Sequence, residues 1–153
     1  MALVVSDAAI ADKLPPANPV PFEDVDATAV MAPINAIFAA IAAGDAETML
    51  THVYPEGRVT ATGVRAPGVS GIRSQSWTEF AKRIKPEVSF EERITDPAIE
   101  VDGDVAMVWA RFVVRRQGKI GNCGFDHFDL IRENGVWKIM NLSFSSRITD
   151  CGN

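Results

Sequence analysis

The sequence predicts an α+β fold in which three N-terminal helices pack on one face of a curved antiparallel sheet. Three observations carry that expectation. Apolar residues at helical spacing crowd the first half of the chain, β-rich runs fill the part after Val88, and Gly-containing turns join those runs into a meander.

Residues 13–22 hold four of the nine prolines, so residues 1–22 are expected to form an extended arm and residues 23–150 a single domain. Over residues 26–43, Val30, Ile34, Ile37, Phe38 and Ile41 recur at helical spacing in an Ala-rich background. Pro33 either kinks this helix or marks its first turn. Gly44-Asp45 ends it and caps a second helix, from Ala46 to about His52. A loop at Tyr54-Pro55-Glu56-Gly57 leads to a short strand over residues 58–62. Residues 63–73, rich in Gly, Pro and Ser, read as a loop. Ser76-Trp77-Thr78-Glu79 fits a capping box, whose Ser side chain satisfies a free N–H at a helix start. It opens a third helix that reaches Ile84 before Pro86.

Strands follow over residues 88–94 and 98–101, separated by a break at Asp96-Pro97. Turns at Asp102-Gly103, Gln117-Gly118 and Asn134-Gly135 separate three longer strands over residues 105–116, 120–133 and 136–147. If the last two turns are two-residue loops, paired residues can be counted outward from them. His127 then lies opposite Leu142 and Val108, Phe125 opposite Phe144 and Ala110, and Asp129 opposite Met140. One face therefore gathers Val108, Phe112, Phe125, Met140, Leu142 and Phe144, with His127 and Asp129 as its polar members. It is the more apolar face and is expected under the helices. The other carries Trp109, Arg111, Asp126, Phe128, Trp137 and Ile139, too apolar to meet water, and predicts a homodimer packed through the sheet.

Composition narrows the function. Fifteen basic residues against twenty acidic ones give a net charge of −5, which disfavours nucleic acid as a partner. No eighteen consecutive apolar residues occur, so no membrane partner is expected. The N-terminus has no basic segment before its apolar residues and does not read as a secretory signal. Cys123 and Cys151 read as reduced thiols in a cytoplasmic protein. Two Cys and two His, His52 and His127, show no ligand spacing, so no metal is expected. Without a flavin or nicotinamide fingerprint, no cofactor is expected either.

Helix, Gly-Asp, helix, short strand, helix, then a meander containing Asp126-His127-Phe128-Asp129-Leu130 and Asn134-Gly135-Val136-Trp137-Lys138-Ile139: this order resembles the nuclear transport factor 2-like superfamily. That group includes ketosteroid isomerase, scytalone dehydratase and the polyketide cyclases. The last third is similar to the subgroup labelled "putative lumazine-binding", and the resemblance covers residues 25–147. Here His stands at that motif's aromatic position and Asp at its His position. The resemblance implies a cone-shaped α+β barrel with a ligand cavity. Ketosteroid isomerases use a carboxylate base on the first strand and a Tyr in the first helix. Val59-Thr60-Ala61-Thr62 has no carboxylate and the first helix has no Tyr, so that chemistry is not expected by those residues. The segment supplying the oxyanion-hole acid falls at Asp126 or His127, and face parity favours His127.

The expected function is binding of a small ring compound, uncharged or weakly polar, in a largely apolar pocket. Phe38, His52, Tyr54, Trp77, Phe112, Phe125, Met140, Leu142 and Phe144 are the expected contacts. The alternative is a cofactor-independent isomerase, dehydratase or cyclase, in which Asp129 holds His127 in one tautomer for acid–base work. A dimeric interaction module without a ligand is the third reading. Were the two faces swapped, Asp126 and Arg111 with Trp109 would become the pocket, and His127 the interface residue.

Overall fold

The computed structural model describes residues 25–152. The arm expected over residues 1–22 lies outside the described residues. Helix α1 (Val25–Ala43) runs unbroken through Pro33 and buries Val30, Ile34, Ile37 and Ile41. It is long and apolar enough to cross a membrane, yet half of its length is buried inside the protein. The helix stops at Gly44, whose φ of +70° favours glycine. Gly44 N–H donates to Ile41 O at 3.0 Å and Asp45 N–H to Ala40 O at 2.8 Å, a Schellman ending. Asp45 then caps α2 (Ala46–Thr51), accepting from Thr48 N–H at 3.0 Å and from its hydroxyl at 2.6 Å.

Strand β1 (Arg58–Gly63) is followed by the first departure from expectation. At the last residue of the loop expected over residues 63–73 an unexpected strand begins, β2 (Arg73–Ser76), antiparallel to β1. Ser76 caps the short α3 (Trp77–Ala81), accepting from Glu79 N–H at 3.1 Å. After a 3-10 turn at Pro86–Val88, β3 (Glu91–Asp102) continues through Asp96-Pro97, with only a register shift between Thr95 and Ala98. Strands β4 (Val105–Arg116), β5 (Lys119–Glu133) and β6 (Val136–Ser146) complete one six-stranded sheet in the order β2-β1-β6-β5-β4-β3. The meander is antiparallel as expected, but β1 runs parallel to β6, so the sheet is mixed. No hairpin links β1 to β6, so no turn geometry dictates its direction.

The turns at Gln117-Gly118 and Asn134-Gly135 are two-residue loops, closing Arg116 on Lys119 and Glu133 on Val136. Farther along, each ladder takes in one extra residue. Val114 pairs with Asn122 and Arg115 with Ile120, leaving Gly121 unpaired; Asp129 pairs with Asn141 and Leu130 with Ile139, leaving Met140 unpaired. A bulge moves every later side chain to the opposite face. The true register puts Asp126 opposite Ala110 and Phe144, and Phe128 opposite Val108 and Leu142. The inner face therefore holds Val108, Phe112, Asp126, Phe128, Trp137 and Ile139, all buried. Face parity as read from the turns is right for β4 and the end of β6, and inverted for β5 and the start of β6.

The cysteines also differ from expectation. Cys123 and Cys151 form a disulfide, with Cα atoms 5.4 Å apart. The C-terminal segment does not fray there, because Cys123 and Arg147 exchange two backbone hydrogen bonds of 3.0 and 2.9 Å beside β5. This pairing removes the reduced-thiol argument for a cytoplasmic setting.

Candidate functional site

A cavity of about 600 Å³ opens between the helices and the inner face of the sheet. Ile37, Phe38 and Ile41 of α1, Val59 and Ala61 of β1, and Trp77 and Phe80 of the α3 segment form part of its wall. Phe112, Val114, Leu142 and Phe144 close it from the sheet. Phe112 and Phe144 meet edge to face at 5.8 Å, which fixes that wall. Trp77 is fully buried, and its indole N–H donates to Met140 O at 2.9 Å, so it offers the cavity a ring rather than a donor.

Among the polar groups of the lining are Glu92 and Asn122. Asn122 is buried and donates to Ser146 Oγ at 3.0 Å, which in turn donates to Val64 O at 2.8 Å. Glu92 is half-buried in the cavity wall, and Asp126 lies behind it, 0% exposed. No N–H or hydroxyl donor reaches either carboxyl oxygen of Asp126. Its partner is the Glu92 carboxyl. The two carboxyls interact, and ionising both at once is disfavoured. Burial, then the charge and hydrogen bond of Glu92, push Asp126 well above the usual carboxylate range. Burial also raises Glu92 to about 7, against the lowering effects of the Asp126 hydrogen bond and the Arg116 charge. Asp126 is thus biased toward its protonated form, and Glu92 is pushed up toward neutral pH.

The expected contact residues divide. Phe38, Trp77, Phe112, Leu142 and Phe144 line the cavity; His52, Tyr54, Phe125 and Met140 do not. His52 closes α2, its carbonyl accepting from Ile139 N–H at 3.0 Å. The Tyr54 hydroxyl donates to Glu133 Oε2 at 3.4 Å at the surface. Met140 is the unpaired bulge residue, and Phe125 stacks on Trp109 at 5.3 Å on the outer face.

His127 and Asp129 are on that outer face too, which corrects their expected place in the pocket. Their Nε2–Oδ1 distance is 3.5 Å, and Asp129 also accepts from Asn141 Nδ2 at 3.4 Å. His127 lies against Trp109, with ring centres 6.1 Å apart. The expected interface is corrected by the same bulges. Trp109 and Arg111 are exposed, while Asp126, Phe128, Trp137 and Ile139 are core. Among the described residues no three His, Cys, Asp or Glu side chains stand together as a metal site.

Glu92 escaped notice in the sequence, although a signal was there. Phe90, Glu92 and Ile94 alternate with the exposed Glu91 and Arg93, so strand periodicity places Glu92 among apolar neighbours. Gly121 and Gly124 inside a strand likewise signalled a bulge or a close approach. A Cβ on Gly124 would lie 2.0 Å from Ser145 O.

Comparisons with known proteins agree with this architecture. A family model described as "Putative lumazine-binding" matches residues 25–145. No curated protein matches the chain. Among solved structures, a nuclear transport factor 2-like protein of unknown function from Methylobacillus flagellatus superposes with a TM-score of 0.61 at 18% identity, covering 84% of this chain and 98% of that one. A protein of unknown function with a cystatin-like fold from Nostoc punctiforme gives 0.63 at 14% identity, covering 81% and 92%. A protein described as a putative aromatic ring hydroxylase from Novosphingobium aromaticivorans gives 0.59 at 16% identity, covering 82% and 95%.

Proposed function

Since the chain belongs to the "Putative lumazine-binding" family of the nuclear transport factor 2-like superfamily, we propose that it binds a small ring compound in the cavity, with Glu92 as the hydrogen-bonding group that orients it. The observation that carries this reading is the Glu92–Asp126 pair beside a wall built largely of aromatic and aliphatic side chains. Taking carboxyls out of water is costly. A cavity of about 600 Å³ is in the range that drug-sized ligands occupy. Lumazine, a flat bicycle rich in carbonyl and ring-nitrogen acceptors, is the ligand chemistry the family description suggests. Protonated Glu92 would donate to such an acceptor, while Phe38, Phe112 and Phe144 offer aromatic contact to the ring.

The test is thermal stabilisation by lumazine and related bicyclic rings, read beside native mass spectrometry of the purified protein. The expected result is a raised Tm that disappears in Ala61→Phe, a variant that fills the cavity, and binding weakened by about tenfold in Glu92→Gln. No stabilisation by any ring compound and no co-purified molecule would contradict the reading.

One observation favours a second reading. A carboxyl titrating at about 7 suits proton transfer, so the same cavity supports a cofactor-independent isomerase, dehydratase or cyclase with Glu92 as general acid or base. Loss of turnover in Glu92→Gln with binding retained would select it. The open cavity argues against a collapsed interaction module. Association of two copies through the outer sheet face is proposed alongside. Trp109, 46% exposed and stacked on Phe125, is its centre. A Trp109→Glu chain that sediments as a monomer, where the parent chain is a dimer, is the expected outcome.

A further inference from the structure

Six basic side chains line the cavity, Arg65, Arg73, Lys82, Arg83, Lys85 and Arg116, against a single acidic one, Glu92. The whole chain carries −5, so this concentration runs against the protein's own charge balance. Arg73, Lys82, Arg83, Lys85 and Arg116 are exposed, whereas the aromatic and aliphatic walls are mostly buried. The charges therefore ring the entrance and the apolar surface lies deeper.

These cations are poorly neutralised. Among the described residues, Lys82 pairs with Glu79, but Arg65, Arg73, Arg83, Lys85 and Arg116 form no ion pair within 4.0 Å. Arg65 is tied to backbone carbonyls, donating to Gly71 O at 2.7 Å and to Ser70 O at 3.4 Å, which fixes its charge without cancelling it. Two others are held by aromatic faces. The Arg83 guanidinium lies 5.4 Å from the centre of the Phe80 ring, and that of Arg116 lies 4.7 Å from Phe90. Burial, then repulsion from Arg73, Arg65 and Arg116, lowers the Arg83 pKa, so the arginines sense one another across the entrance.

Like charges brought together without counter-ions cost free energy in the empty protein, and an anion placed among them recovers it. We infer that the ligand is amphipathic: a flat apolar ring system seated in the cavity, bearing a carboxylate, sulfonate or phosphate held at the entrance by Arg73, Arg83 and Arg116. This inference rests on the pocket proposed above and adds the chemical class of what fills it. The uncharged ring expected from the sequence is replaced by an anionic one.

A matched pair of fluorescent probes tests it: anilinonaphthalene sulfonate and its uncharged parent, phenylnaphthylamine. Both are titrated into the wild-type chain, Arg73→Gln/Arg83→Gln, the outer-face control Arg93→Gln/Arg111→Gln, and the cavity-filling Ala61→Phe. In the wild type the anionic probe should bind about tenfold or more tightly than the neutral one, and the preference should shrink as salt rises. It should fall to near parity in Arg73→Gln/Arg83→Gln and persist in the control. Equal affinities in the wild type, a preference insensitive to salt, or one surviving the entrance substitutions would overturn the inference and leave the pocket standing. Binding of either probe that persists in Ala61→Phe, or no binding at all, would overturn the inference and count against the pocket as well. The salt series needs no variant, so it decides the matter even if a substituted chain does not fold.

Discussion

Asp126 and Asp129 lie three residues apart on β5, and their surroundings are opposite. The Asp129 side chain is 45% exposed, accepts from Asn141 and stands beside His127, in reach of water that screens its charge. Asp126 is 0% exposed and meets another carboxyl. One faces water; the other is pushed well above the usual carboxylate range. Residue type is the same, so the difference comes from the face alone, and the face is set by two single-residue bulges, at Gly121 and Met140.

The largest expected effect separates the two faces by packing. Phe128 is 0% exposed on the inner face. Phe128→Ala should cost about 3–5 kcal/mol in urea unfolding, whereas the outer Phe125→Ala should cost about 1 kcal/mol or less in the monomer. Comparable losses would break the face assignment.

The next effect is electrostatic, and its sign follows from the direction of the shifts. Glu92 at about 7 and the raised Asp126 bind protons in the folded chain that the unfolded chain releases. Their unfolded values lie near 4, so stability is greatest below that and falls as pH rises from about 4 through about 7. Asp126→Asn should flatten this decline and raise stability at alkaline pH by about 1–3 kcal/mol. A wild-type chain whose stability rises over that range would contradict the pair.

A smaller effect tests the link between helix layer and sheet. Trp77→Phe removes the indole donor to Met140 O while keeping an aromatic ring, and should cost about 1–2 kcal/mol in thermal unfolding. The smallest concerns His127, which lies outside the cavity. His127→Ala should leave ligand affinity within about twofold, and a larger loss would return that residue to the pocket.

Much of the fold was legible because local signals were strong. The Val30-Ile34-Ile37-Ile41 spacing, the Gly44-Asp45 junction, the Ser76 cap and the Gly-containing turns each have a local cause, and each lies where the sequence places it. Parity along β4 was legible for the same reason. What failed is non-local. A bulge depends on how two strands fit over a twisted surface, so counting from a turn carries a register only as far as the first extra residue. The Glu92–Asp126 contact was hidden because it joins two strands separated by β4. The disulfide was hidden because the path of residues 147–151 back to β5 has no turn signature.

The central claim is that Asp126, behind the cavity wall, and Glu92, in it, are both held toward their protonated forms. Carboxyl-carbon NMR across a pH titration, with the two signals assigned through Glu92→Gln and Asp126→Asn, reads it directly. The account predicts one carbon titrating near 7 and the other well above the usual carboxylate range. Two independent titrations near 4, as for surface acids, would contradict it.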